Sequence, residues 1–315
     1  MTSAVVAEHL VKRYESVVGL DDVSFEIDSS ELFGFIGPDG GGKTTLFRIL
    51  STLLVPDSGT ARVLGQDVVR EMWALRRVIG YMPGRFALYP DLSVEENLRF
   101  FASVFGTTVE AQHEQIAPIY EQLAPFRARR VSALSGGMKQ KLALCCALVH
   151  RPEILLLDEP TTGVDAVSRR EFWDLLDTLR AGGLTIVVST PYMDEAGRCD
   201  RVALVQHGRL LAIDTPAAVA RTVERAVVAV AATDRYRALQ LLRTMPNAYS
   251  VYPFGDTLHY TDARADARPE DVARDLVAHL ASHGLGGATA RPIAPTIEDA
   301  FIALMGSPDG EEAAA

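Results

Sequence analysis

The densest chemistry in the sequence lies between positions 37 and 45, where Gly37, Pro38, Asp39, Gly40, Gly41, Gly42, Lys43, Thr44 and Thr45 follow one another in the pattern G-x-x-x-x-G-K-[ST]. A triphosphate presents many oxygens at close range and needs many donors. Glycines let successive backbone N–H groups turn inward onto it. Lys43 offers a point charge to the outer phosphates, and the Thr44 hydroxyl offers a ligand to Mg²⁺. A helix beginning at Thr44 adds its positive end. These residues are expected to hold the phosphates of ATP or a close relative. A plain glycine-rich turn would not need the apolar strand before the loop or the helix after it.

A second acidic site follows far along the chain. Ile154, Leu155, Leu156 and Leu157 run into Asp158 and Glu159. Four large aliphatics bury a central strand whose end presents two carboxylates. Asp158 is expected to hold Mg²⁺, directly or through water, and Glu159 to polarise an attacking water as general base. An apolar run ending in Asp-Glu says little alone; beside a phosphate loop it says much more.

Between the two, Leu134-Ser135-Gly136-Gly137-Met138-Lys139-Gln140 places a helix-capping serine ahead of two glycines, a second anion-binding arrangement. The string resembles the signature motif of ATP-binding-cassette ATPases and stands upstream of the acidic strand, as in that family. The resemblance implies that Ser135, Gly136 and Gly137 face the γ-phosphate held by the other subunit of a head-to-tail dimer. It continues through Pro160-Thr161-Thr162-Gly163-Val164-Asp165, similar to the family's D-loop, and on from Ser189 to Asp200. Tyr14 matches the aromatic that stacks on adenine; a tyrosine ending a strand is the plainer reading. The similarity covers residues 4–216.

Two family residues are missing. The family has a glutamine after Tyr81-Met82-Pro83 that helps hold Mg²⁺ and water; here Gly84 follows. After Ser189-Thr190 the family has a histidine that contacts the γ-phosphate and the catalytic glutamate; here Pro191 has no side-chain donor. Arg85, Thr190 and Tyr192 are candidates to compensate. A weakened hydrolytic site is expected, each lost contact being worth about a hundredfold in rate. Nucleotide binding is expected to suffer less. The intact signature serves a partner's nucleotide, which points toward a heterodimer, with a homodimer left open.

The elements that must position these residues alternate. Strands are expected at 17–27, 31–37, 154–157 and 185–189, and helices at 44–54, 92–105, 136–149 and 168–179, with Asp91 or Ser93 capping the second helix. Such alternation gives a parallel sheet covered on both faces. The fold class expected is α/β: a P-loop NTPase cassette with a parallel-sheet core. Its domain spans 1–220, with a helical subdomain at about 85–150. After Thr215-Pro216 the character changes. Strand 225–232, helix 234–243, a hairpin of 250–254 with 257–260, helix 269–283 and strand 287–292 suggest a small α+β ferredoxin-like domain over 221–306. Thr296 and Asp299 form a capping signature for a helix at 297–305, and a disordered tail is expected at 307–315.

Composition narrows the partners. A formal net charge of −10, with 41 acidic against 31 basic side chains, lacks the basic footprint of a nucleic-acid binder. The short cluster of Arg127, Arg129 and Arg130 reads as a solvated helix end. Three cysteines, two adjacent in an apolar run, suit a reducing, cytosolic compartment. The start shows no secretory signal, and no apolar run approaches the ~20 residues of a membrane span. The stretch Arg85 to Phe105, with Phe86-Ala87-Leu88-Tyr89-Pro90-Asp91-Leu92-Ser93-Val94-Glu95-Glu96-Asn97-Leu98, and the end Ala294-Pro295-Thr296-Ile297-Glu298-Asp299-Ala300-Phe301-Ile302 are similar to drug-resistance and ABC-2 exporter subunits. That resemblance implies a transmembrane permease docking on the helical region and a place on the inner face of the cell membrane. The C-terminal domain reads as sensing, stabilising or dimerising. A nucleotide-gated regulatory subunit is the main rival reading. A ribosome- or DNA-acting cassette would carry two cassettes or a coiled coil, and a small-molecule phosphotransferase would not need residues 134–140.

Overall fold

The computed structural model describes residues 3–84 and 88–305. Arg85, the first residues of the expected helical subdomain and the tail expected at 307–315 lie outside the described residues. The chain divides into two compact units, Met1–Thr215 and Pro216–Ala315.

A six-stranded sheet organises the first unit. Its strands run in the order Arg209–Asp214, Arg201–Gln206, Leu32–Ile36, Thr185–Thr190, Ile154–Asp158, Ile79–Met82. Every neighbouring pair is parallel except the first. Leu32–Ile36, Ile154–Asp158 and Thr185–Thr190 are buried at every residue, as the inner strands of a doubly covered parallel sheet must be. A second, antiparallel sheet joins Val17–Asp28, Ser3–Tyr14, Ser58–Val63 and Gln66–Asp67. One core serves both sheets. Phe35 meets Phe25 edge-on with ring centres 5.0 Å apart and Phe47 at 6.0 Å, so the helix Lys43–Leu50 is clamped where the phosphate loop feeds it.

That helix is shorter than the sequence suggests. It ends at Leu50 because Thr52 turns to φ 64° and the N–H groups of Leu53 and Leu54 both return to the Arg48 carbonyl, at 2.8 and 3.0 Å. The helical region comprises Val94–Val104, His113–Leu123 and Gly136–Leu148, the first two packing against the third. Ser93, not Asp91, caps Val94–Val104. Its Oγ accepts from the Glu96 N–H at 3.2 Å while Glu96 Oε2 accepts from the Ser93 N–H at 2.7 Å, a full capping box. Asn97, fully buried, accepts from the Tyr89 N–H and donates to the Ser93 carbonyl, both at 2.9 Å, which ties the entering segment down.

In the second unit Val227–Ala231, Arg235–Arg243, Ala248–Phe254, Thr257–Asp262, Pro269–Ser282 and Thr289–Ile293 follow as strand, helix, strand, strand, helix, strand. The sheet order is Ala248–Phe254, Thr257–Asp262, Val227–Ala231, Thr289–Ile293, antiparallel throughout. Val228, Val230, Leu258 and Tyr260 share a core with Leu242 and Leu276 of the helices. The helix Ile297–Met305 is pinned by Asp299, which accepts from the Tyr252 hydroxyl at 2.5 Å and the Thr296 hydroxyl at 2.6 Å and lies 3.1 Å from His259 Nδ1. Among the described residues no helix is long and apolar enough to cross a membrane.

Candidate functional site

The phosphate loop leaves the central strand Leu32–Ile36 at Gly37, whose N–H donates to the Thr190 carbonyl at 3.2 Å. A Cβ at Gly37 would stand 2.0 Å from the Val205 carbonyl oxygen, so no side chain fits. Gly42 sits at φ 101°, with Gly19 O 2.4 Å from where a Cβ would be. It precedes a helix whose N-cap makes no side-chain hydrogen bond and whose first turn holds no acid. Among the described residues no side chain caps that helix start, an arrangement that suits an anion. Lys43 is buried; its ammonium donates to the Gly37 and Pro38 carbonyls at 2.8 and 2.9 Å and lies 3.5 Å from Glu159 Oε1.

Beside the loop is a cavity of about 170 Å³. Gly40, Gly42, Lys43, Thr44, Thr45 and Glu159 line one part of it, and Tyr14, Val17, Val18 and Gly19 the rest. Tyr14 is 39% exposed, its hydroxyl 3.4 Å from Thr45 Oγ1. Gly37 and Gly41 are buried, Asp39 is exposed, and these three are not among the lining residues. The valines and Gly19 carry no polar signature, so the sequence did not single them out.

The acidic strand delivers both carboxylates. Asp158 is buried and accepts from the Ser189 hydroxyl at 2.6 Å, across a register that pairs Asp158 with Ser189. The Glu159 backbone turns to φ 51°, a conformation a non-glycine residue holds only when its surroundings impose it. Here Ser189 imposes it: the Glu159 N–H donates to its carbonyl at 3.1 Å and its Oγ at 3.0 Å. Ser189 is thus an organiser of the site that residue type alone did not mark. Burial, and then the negative charge of Asp158, push the Tyr81 phenol up to about 12. For a divalent ion the donors are hard. Asp158 spends Oδ1 on Ser189, its Oδ2 lies 3.8 Å from where a Cβ of Gly84 would be, and Thr44 is among the residues lining the cavity. One carboxylate, one hydroxyl and substrate phosphates are the set Mg²⁺ prefers.

The two departures fall on this spot. A Cβ at Gly84 would lie 3.2 Å from the Asp158 carbonyl oxygen, 3.8 Å from Asp158 Oδ2 and 3.8 Å from Glu159 Cβ. Pro191 directly follows Thr190, whose carbonyl receives the Gly37 N–H.

The signature residues are not part of the same cavity. Ser135 is exposed and caps Gly136–Leu148 by accepting from the Met138 N–H at 3.3 Å. Gly136 is also exposed, while Gly137 is buried, with Ser168 Oγ 2.6 Å from where its Cβ would be. Asp165, ending the D-loop-like segment, caps Ala166–Ala181; the backbone and hydroxyl of Ser168 hold its carboxyl below the usual range.

The fold and this site define a P-loop nucleotide-binding cassette. A family described as ABC transporter matches residues 20–162. The chain is 44% identical over 216 residues to YbhF, a probable multidrug ABC transporter ATP-binding protein of Escherichia coli, covering 68% of this chain and 37% of that one. It is 40% identical to the doxorubicin resistance ATP-binding protein DrrA of Mycobacterium tuberculosis, covering 67% and 66%. It is 35% identical to a Nod factor export ATP-binding protein I of Rhizobium sp. over 94% of both chains. A solved dimeric ATP-binding cassette in a post-hydrolysis state with ADP and phosphate superposes with TM-score 0.61 at 25% identity, over 67% of this chain and 98% of that one. The ATP-binding subunit of another ABC transporter gives 0.63 at 27%, over 70% and 92%. This chain belongs to the ABC transporter family, as an ATP-binding cassette. It spans little more than a third of the length of its Escherichia coli relative.

Proposed function

We propose that this chain is the ATP-binding and ATP-hydrolysing subunit of an ABC-type membrane exporter. The observation that carries this is the meeting of Lys43 and Glu159 across the phosphate loop, 3.5 Å apart beside the unclaimed N-terminus of a helix. An arriving triphosphate offers Lys43 better partners than two carbonyls and releases Glu159 toward the attacking water. Tyr14 offers its ring to adenine, and Thr44 with Asp158 would hold Mg²⁺. The ion would offset phosphate charge.

Ser135 and Gly136, exposed on a helix start, suit the γ-phosphate of a second cassette, like or unlike this one. ATP then draws two cassettes together and hydrolysis lets them part. A transmembrane permease would receive that motion and hold the chain on the cytoplasmic face. An apolar groove of about 490 Å³, lined by Leu53, Trp73, Met82, Phe101, Val104 and Phe105 among others, supports such docking beside the helical region. The names of the relatives support export as the direction. The α+β unit, with its ferredoxin-like order of elements, is an accessory domain. Hydrolysis is weakened by Gly84 and Pro191.

Single-turnover hydrolysis and nucleotide titration of the parent and of Glu159→Gln test this reading. The variant should bind ATP as well as the parent and hydrolyse it about a hundredfold more slowly. A parent that hydrolyses nothing, or a variant as fast as the parent, contradicts it.

A further inference from the structure

Glu195 is 3% exposed, and nothing said so far uses it. Its Oε1 accepts from the Thr161 hydroxyl at 2.8 Å and its Oε2 from the Thr190 hydroxyl at 2.5 Å. Arg169 Nε lies 3.2 Å from Oε1, while the same guanidinium binds Asp194 at 2.7 Å and covers the Tyr192 ring at 4.4 Å. Thr161 and Thr190 are fully buried. Burying a carboxylate is unfavourable until its partners offset the lost hydration, and an apolar side chain would fill the space at less cost. What the carboxylate adds is direction: it joins two hydroxyls, those of Thr161 and Thr190, that lie 29 residues apart in sequence.

Those hydroxyls stand at telling places. Thr161 is two residues beyond Glu159, at the start of the D-loop-like segment. Thr190 gives its carbonyl to Gly37, receives the Tyr192 N–H on its hydroxyl at 3.1 Å, and precedes Pro191. Glu159 itself is held on its N–H side by Ser189. Glu195 therefore secures the segment on the other side of Glu159 and ties it to the strand end that anchors the phosphate loop. Proline at 191 supplies neither an N–H nor a side-chain donor for that task.

We propose that Glu195 is a positioning residue for hydrolysis: by joining Thr161 to Thr190 it holds Glu159 in register with the phosphate loop, and nucleotide binding does not need it. This rests on the hydrolytic reading of the site. Displacing a general base by an ångström costs rate far more than it costs affinity.

The test compares the full-length parent with Glu195→Ala, Glu195→Gln and Thr161→Val. It measures ADP affinity, single-turnover ATP hydrolysis and the thermal midpoint. Glu195→Ala should slow hydrolysis at least about tenfold and leave the ADP Kd within about twofold. Glu195→Gln should recover part of the rate, since its amide still pairs with both hydroxyls. Thr161→Val should slow hydrolysis in the Glu195 parent and add little in Glu195→Ala, the mark of one shared interaction. Unchanged hydrolysis in Glu195→Ala, or affinity lost in step with rate, overturns the proposal. Should Glu195→Ala not fold, Glu195→Gln and Thr161→Val both at the parent rate overturn it instead. Failure of the hydrolytic reading shows earlier and separately, as a parent that does not bind or cleave ATP.

Discussion

Lys43 and Glu159 are each half engaged. The ammonium donates to two loop carbonyls, and the carboxylate stays within 3.5 Å of it while holding a left-handed backbone. Around them the missing donors are local. A side chain at 84 would abut Asp158 and Glu159, and position 191 follows the anchor of Gly37. If these absences slow hydrolysis, replacing them should speed it. Gly84→Gln with Pro191→His is expected to raise the single-turnover rate about tenfold or more, each transition-state donor being worth a few kcal/mol. ATP affinity should change little. The glutamine enters tight space, 3.2 Å from the Asp158 carbonyl, so a few tenths of an ångström of backbone movement come with it. A double variant no faster than the parent would show that the site is already fully equipped.

At the scale of elements, the phosphate loop, the acidic strand and the signature helix were legible because residue type and spacing specify them. The terminal helix of the second unit was legible through its cap, Thr296 with Asp299. The three-dimensional role of Asp299 was not: Tyr252 and His259 lie 47 and 40 residues away in sequence. Ser189, Glu195 and the antiparallel sheet escaped for the same reason. The contacts that matter span long stretches of sequence, Ser189 to Glu159 across 30 residues, Glu195 to Thr161 across 34 and Val5 to Val63 across the sheet, and short-range pattern carries no trace of those. Helix ends shifted where a cap or a positive φ decided them, as at Ser93 and Thr52. Asp299 yields a pH prediction. Burial would raise its carboxyl, but hydrogen bonds from His259, Thr296 and Tyr252 outweigh burial and hold it below the usual range. An unfolded aspartate titrates near about 3.9. The stabilisation is therefore whole above about pH 4 and fades as pH falls through the lower folded value. Urea midpoints of the parent should drop in that window more steeply than those of Asp299→Asn; parallel curves would contradict the assignment.

For the whole molecule, the proposed function makes the site complete only when two cassettes meet. Ser135 is exposed, caps its own helix and lies outside the cavity of its own chain. An arginine there should block a facing phosphate without touching the loop. In sedimentation with ATP, Glu159→Gln should associate, and the same variant carrying Ser135→Arg should stay monomeric while binding ATP equally; association in both would remove the signature from closure. All of this presupposes the loop. The most direct measurement is the ATP affinity of Lys43→Ala beside the parent, by calorimetric titration. Loss of a charged donor to phosphate costs about 1.5–3 kcal/mol, so affinity should fall about ten- to a hundredfold. Equal affinity in the two proteins would mean that the phosphates are bound elsewhere.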